Sequence, residues 1–371
     1  MKLNISQVLQ QATIAHNEGK IQEAESFYRT ILKTQPKHAD ANHNLGLIIA
    51  SKKNSSDSVS LFKIAVEVNP NIEQFWISYT TALINEKHFK EAEINFKKLL
   101  ELKPGFAIAH NNFGVLLQNL GRYDESEVSI RKAIELNPDY VDAYYNLGVC
   151  LSELGRLDEV VVNYKKAITL KPDFVVVYSN LSAILKNLGK FDEAEASARK
   201  AIEIKPDFSE AYYNLGVTLH KTARFKEAEA SYKKSIELKP DYVDAYVNLG
   251  AVLKEIANPL EAMANYKKAI DLKPNSAHAH YNLGLILYEL GKFKEAIEEF
   301  KLSSFKNSKE LILSCLLKLD EKSLFYQQLD DLIECGNINP LIGSLITRAE
   351  VKFKTKRPNL FCKNPLKYIL K

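Results

Sequence analysis

The Leu-Gly pair inside "NLG" recurs at 45–46, 147–148, 215–216, 249–250 and 283–284, always a multiple of 34 residues apart. With Gly148 set at position 8, nine units follow without an insertion or deletion: 5–38, 39–72, 73–106, 107–140, 141–174, 175–208, 209–242, 243–276 and 277–310. A unit this short cannot bury a core alone, so neighbours must stack. Separate globular domains, the usual expectation at this length, are excluded.

Each unit reads as two helices. The first places apolar residues at positions 4, 7 and 11 around a small residue at 8, as in Tyr144, Leu147, Gly148 and Leu151. The second places 20, 24 and 27 on one face, as in Ala228, Tyr232 and Ser235. Position 15 is often Gly (Gly121, Gly155, Gly189, Gly291), a signal for the end of a helix. Position 32 is Pro in eight units (Pro36, Pro70, Pro104, Pro138, Pro172, Pro206, Pro240, Pro274), where it stops the second helix. The predicted class is all-α: a right-handed solenoid of nine helix-turn-helix repeats over 5–310, with a helical cap over 311–350 and a basic, apolar-ended tail over 351–371.

These residues resemble the tetratricopeptide repeat (TPR) family, whose pattern is aromatic–x2–Leu–Gly–x2–Tyr, then Ala–x3–Phe, then Pro at this period. The resemblance covers 5–310. Unit 1 departs with Gln11 and Ala12 at Leu-Gly, unit 3 with Tyr79 and Thr80, unit 5 with Val160 at position 20, and unit 9 with Ser308 in place of Pro.

One position is anomalous for a helix. Asn stands at position 6 in seven units: Asn44, Asn112, Asn146, Asn180, Asn214, Asn248 and Asn282. At about 100° per residue this position faces away from the hairpin core. Each Asn costs several tenths of a kcal/mol against a good helix former, roughly 3 kcal/mol over seven. Two compatible readings account for it. The carboxamides hold the backbone of an extended peptide, or they bond to the neighbouring first helix and set the twist of the stack. The resemblance places the column along the inner groove, similar to the asparagine ladder of the O-linked N-acetylglucosamine transferase superhelix. Tyr145, Tyr213 and Tyr281 at position 5 face ligand side chains or pack within the stack. Position 2 adds Asp40, Asp142, Glu210 and Asp244, and positions 12 and 13 add Asn85, Asn119, Lys186, Asn187, His220 and Lys254. TPR domains that clamp a terminal carboxylate carry Lys at position 5 and Asn at position 9, and no unit here has either.

A search for chemistry finds none. "HAD" at 38–40 with His110 superficially matches an iron-binding triad, but His38 and Asp40 straddle a unit junction. The histidines of "HAH" at 278–280 lie about 200° apart on one helix and cannot share a metal. No phosphate-binding or nucleophile-elbow motif is present, and Cys150, Cys315, Cys335 and Cys362 are too scattered for zinc or a disulfide framework. No enzyme activity, cofactor or metal is expected. The Lys-Lys pairs at 97–98, 165–166, 233–234 and 267–268 read as a solvated face paired with nearby Glu.

The net charge of +4 is outweighed by seven cations after Glu350, so the repeats are slightly acidic. A general nucleic-acid binder is therefore not expected. No run of 18 apolar residues and no secretory leader are visible, so the expected compartment is the cytoplasm, without membrane contact. The tail "KFKTKRPNLFCKNPLKYILK" is similar to the lead-in of a 2-oxoglutarate/Fe(II) oxygenase domain that follows bacterial TPR arrays. The leading expectation is a scaffold that binds a protein or peptide. The alternative is the substrate-recruiting part of a truncated oxygenase or O-glycosyltransferase fusion. Oligomeric state and partner identity are not legible.

Overall fold

The computed structural model describes residues 4–52, 55–305, 307–334 and 340–354. Twenty-one α-helices and no strand lie among them. The chain divides into two compact units, Met1–Val177 and Tyr178–Lys371.

Repeat 5 shows how the pattern folds. Its first helix, Val141–Glu153, fills positions 1–13, and its second, Leu157–Leu170, fills 17–30. The same bounds recur in repeat 7 as Ser209–Lys221 and Phe225–Leu238. Position 15 between them is left-handed: φ is +73° at Gly155 and +74° at Gly189. Three repeats impose that conformation on a side-chain-bearing residue, at Lys87 (+61°), Ala223 (+58°) and Ala257 (+59°), where the Cβ is disfavoured.

In repeats 2, 5, 7, 8 and 9 the glycine at position 8 makes room for the ring at position 24. A Cβ on Gly216 would stand 2.8 Å from two ring atoms of Tyr232, and one on Gly284 would stand 2.7 Å from Phe300. Repeat 6 pairs two small residues there, Ser182 at position 8 and Ala198 at position 24, both fully buried, so this contact carries less side-chain volume than its siblings. The bulky Val160 at position 20 is fully buried like the alanines it replaces.

Neighbouring hairpins are joined at both ends. In the first unit, Asn42, Trp76, His110 and Tyr144 at position 4 each place a side-chain N or O 2.8–3.1 Å from the carbonyl oxygen of the preceding proline. In the second unit, Tyr246 reaches Pro240 at 3.3 Å and His280 reaches Pro274 at 2.9 Å. The Pro-headed linker thus has its carbonyl satisfied by the repeat it introduces. Sequence reading treated position 4 as an apolar packing residue and missed this polar tether.

On the second helices, glutamates at position 21 bridge two repeats. Glu93 takes Lys97 at 2.7 Å and Arg122 of the next repeat at 2.9 Å. Glu127 does the same with Arg131 and Arg156, and Glu195 with Arg199 and Arg224. The Lys-Lys face behaves as read at Lys97, and at Lys233 and Lys234, which pair with Glu229 and Glu237.

The expected boundary between the ninth repeat and the cap needs correction. The second helix of repeat 9, Phe293–Ser303, ends early at Ser304, whose φ is +56°. The next helix, Ser308–Lys318, therefore runs across residue 310. Counted from residue 306, left-handed Asp320 (φ +60°) falls at position 15 and Lys322–Glu334 begins at position 17. The following helix, Pro340–Lys352, again occupies positions 1–13 of a 34-residue frame. Phe325, Leu329, Leu332, Ile342 and Ile346 join the core cluster that begins in repeat 6. The cap is built on the repeat's own geometry, restarted five residues early. Of the tail, Lys352 donates to the Leu317 carbonyl at 2.7 Å; residues 355–371, which carry most of the oxygenase-like segment, lie outside the described residues, as does Cys335.

Candidate functional site

The position-6 asparagines are all half-buried. The Nδ2 groups of Asn146, Asn214 and Asn248 bond to the preceding repeat with a constant offset of 35 residues. Asn146 Nδ2 donates to Asn111 Oδ1 at 3.0 Å. Asn214 Nδ2 donates to both Ser179 Oγ (2.9 Å) and the Ser179 carbonyl (3.1 Å). Asn248 Nδ2 donates to the Tyr213 hydroxyl at 3.0 Å. In repeat 3, Ser78 takes the Asn's place, and its hydroxyl sits 2.9 Å from His43 Nε2. In every case position 6 of one repeat meets position 5 of the repeat before it.

This geometry supplies the force that offsets poor helix propensity. A buried or half-buried donor bonded across the repeat interface contributes about 1 kcal/mol, against several tenths lost to propensity. The inter-helix reading of the asparagine therefore has direct geometric content. The amide oxygens are a separate matter. Among the described residues, no protein donor is bonded to Oδ1 of Asn146, Asn214 or Asn248. Asn44 differs, its Oδ1 lying 3.2 Å from His43 Nδ1, and Asn112 Oδ1 accepts from Asn111 Nδ2 at 3.1 Å. Asn180 and Asn282 are half-buried like the rest.

The position-5 tyrosines pack within their own repeats. Tyr145 lies 6.0 Å from the Tyr164 ring in a stacked pair and 5.5 Å from Phe174. Tyr213 meets Tyr232 and Tyr242 at 6.0 and 4.8 Å, and Tyr281 meets Phe300 and Phe305 at 6.1 and 5.2 Å. Burial raises the Tyr213 phenol, with the charge of Asp244 adding and the bond from Asn248 opposing. These half-buried rings fix the first helix on its linker.

Around them, Asp40, Asp142 and Asp244 are exposed, while Glu210 pairs with Lys239 at 3.2 Å. Asn85, Asn119 and Asn187 at position 13 are exposed as well. Position 12 of one repeat faces position 13 of the next: Lys254 and Glu289 pair at 2.7 Å. Lys186 has a like charge in that place; burial holds its ammonium below the usual lysine range, and the charge of Lys221 pushes the same way. The face is thus amphoteric, with charges of both signs set between half-buried amides.

The decoys of the sequence are accounted for by structure. His38 caps a helix, its Nδ1 3.3 Å from the Ala41 N–H, and His110 is held by the Pro104 carbonyl. His280 is buried between Glu299 and Pro274, whereas exposed His278 meets Phe305 edge-on. No cluster of metal-ligating groups occurs among the described residues. Cys150 and Cys315 are buried, and burial pushes the Cys315 thiol up to about 12. Among the described residues no helix is long and apolar enough to cross a membrane.

Comparison with known proteins agrees with this architecture. A family model described as TPR repeat matches residues 119–155, 183–222 and 261–291. A model described as tetratricopeptide repeat matches 141–174 and 209–242, limits that coincide with repeats 5 and 7, and a further one matches 163–196. No curated protein matches the chain. Among solved structures, the APC/C hetero-tetramer Cut9-Hcn1 is similar over 85% of this chain and 76% of that one, at 14% identity and a TM-score of 0.55. PilF of Pseudomonas aeruginosa is similar over 56% of this chain and 96% of its own, at 18% identity and a TM-score of 0.50. YrrB, described as a TPR protein with an unusual peptide-binding site, shares 25% identity over 50% of this chain and 95% of its own, with a TM-score of 0.43. The family-model matches agree with the 34-residue period and the hairpin geometry: tetratricopeptide repeats are identified within 119–242 and 261–291.

Proposed function

We propose that this chain is a non-catalytic scaffold that holds an extended segment of a partner polypeptide against the first helices of its repeats. The observation that carries the reading is the state of the position-6 amides. The Nδ2 groups of Asn146, Asn214 and Asn248 are tied to the preceding repeat, which fixes each amide in place, while the oxygens keep their acceptor capacity. Oxygens held at one point per repeat suit backbone N–H donors, which every peptide offers irrespective of sequence. Mixed charges at positions 2, 12 and 13 then select among side chains. Fixing the amides beforehand lowers the ordering cost of binding.

The test is selection of a displayed random peptide library against the full chain, with affinities then compared for the triple variant Asn146→Ala, Asn214→Ala, Asn248→Ala. We expect binding to fall at least about tenfold, since lost hydrogen bonds of about 0.5–1.5 kcal/mol each add up. Unchanged affinity with a lowered melting temperature would reduce the column to a structural device and remove this reading.

A further inference from the structure

We infer that repeat 8 contains a pocket for an aromatic side chain of the partner polypeptide, formed where this repeat alone lacks a ring that its siblings supply from within. The inference rests on the scaffold reading and deepens it.

Positions 5 and 34 of a repeat converge where the first helix meets the linker to the next repeat. Tyr145 and Phe174 meet there at 5.5 Å, and Tyr213 and Tyr242 at 4.8 Å. In repeat 4, Asn111 Nδ2 bonds the Tyr140 hydroxyl at 3.4 Å. A lysine at position 31 covers the ring at 34: Lys171 lies 5.0 Å from the Phe174 centroid, Lys205 5.6 Å from Phe208, and Lys239 4.9 Å from Tyr242. Each of these is a cation–π contact.

Every other repeat has a ring at one or both of these positions: His38, His43, Phe106, Tyr140, Tyr145 with Phe174, Phe208, Tyr213 with Tyr242, and Tyr281. Repeat 8 has neither, because Val247 stands at position 5 and Ser276 at position 34. Its position-31 lysine, Lys273, is retained. The volume so vacated is an open cavity of about 530 Å³, lined among others by Tyr213, Asp244, Val247, Asn248, Lys273 and Ser276. Ser276 is 9% exposed at its floor, whereas Lys273 and Asp244 are exposed at its edge.

The chemistry of the walls selects the occupant. Val247 and the edge of Tyr213 give an apolar surface, and Lys273 gives the cation that elsewhere in this chain covers a ring. An aliphatic side chain would use the first and waste the second. Asn248 of the position-6 column also lines the cavity, and with its Nδ2 held by Tyr213 its amide oxygen is the acceptor for the backbone N–H of the segment that delivers the ring. Asp244 adds an acceptor for a phenolic hydroxyl. A tyrosine or phenylalanine within an extended chain satisfies all four groups.

The test uses the full chain with its valine methyls isotopically labelled for NMR, titrated with N-acetyl-tyrosinamide, N-acetyl-phenylalaninamide and N-acetyl-leucinamide. We expect saturable shifts confined to Val243 and Val247 with the two aromatic amides, at a Kd on the order of 1 mM for ligands this small, and none with leucinamide. Ser276→Tyr, whose backbone (φ −72°, ψ 91°) matches that of Tyr242 (φ −81°, ψ 85°), should fill the cavity from within and abolish the shifts, while Ser276→Ala keeps them. Should Ser276→Tyr fail to fold, Val247→Phe serves the same purpose. No shift, equal shifts with leucinamide, or shifts that survive the filling variant would overturn the pocket. Selected peptides that bind the chain whether or not the cavity is filled would overturn it too, while leaving the scaffold reading in place.

Discussion

The interior of a hairpin and the outward face of its first helix obey different rules, although both are read from the same 13 residues. Inside repeat 7, Gly216 meets the Tyr232 ring so closely that one methyl group has no space. On the other side of that helix, Asn214 is half-buried and holds the previous repeat through two hydrogen bonds. The interior is decided by close packing of position 8 against position 24, met by Ala12 with Tyr28 in repeat 1 and by Ser182 with Ala198 in repeat 6. The face is decided by single polar contacts, which vary from repeat to repeat while their 35-residue offset stays constant. Fold-bearing positions can thus remain uniform while the binding face diverges.

Substitution at the interior should give the largest effect. Gly216→Val is expected to destabilise by about 3 kcal/mol through overpacking, seen as a lower urea midpoint and faster amide exchange in repeat 7. Adding Tyr232→Ala should recover part of the loss, because repeat 6 already uses a small residue at position 24. No recovery would show that the two positions do not share one volume.

On the face, Asn214→Ala removes two bonds but gains helix propensity. The expected net loss is about 1 kcal/mol. The exposed Asn119→Ala should instead be neutral or slightly stabilising by thermal melting. Equal behaviour of the two would erase the distinction between position 6 and an ordinary surface asparagine.

The turn belongs to neither region and offers a smaller, opposite change. Ala223→Gly and Ala257→Gly should each stabilise by about 0.5 kcal/mol, since glycine adopts the left-handed turn without steric cost, partly offset by greater freedom in the unfolded chain. A loss of stability in either would mean that the turn is not the limiting strain.

The smallest effect concerns the ion-paired second helices. Lys97, and then Arg122, hold the Glu93 carboxylate below its ordinary value of 4.5. A depressed folded-state pKa contributes stability that is present above the unfolded value and lost as pH falls through the folded one. Glu93→Gln should therefore melt slightly lower than the parent at pH 7, with the gap closing as pH falls below the ordinary carboxylate range. A gap that persists in acid would assign the loss to packing rather than charge.

Much of this was legible in advance. The paired helices, the Pro stops and the turn at position 15 emerge from spacing, because a helical hairpin of fixed length leaves its signature at fixed intervals. The Asn column was legible as an anomaly, since propensity alone argues against it. Its partner was not, because the residue at position 5 changes among His, Asn, Ser and Tyr and only the superposed repeats show one meeting point. Position 4 was legible as large but not as a donor, since Asn42, Trp76, His110 and Tyr144 share no hydropathy class. The frame restart at residue 306 was hidden by an early stop at Ser304 that no Pro or Gly announces.

The sequence by itself determined the hairpin, its length and its repetition, because these follow from local turn chemistry and apolar periodicity. Only the tertiary structure decided what each outward residue touches. Contacts across a repeat interface join positions 35 residues apart, and nothing in the local sequence around an asparagine states which atom will stand opposite it.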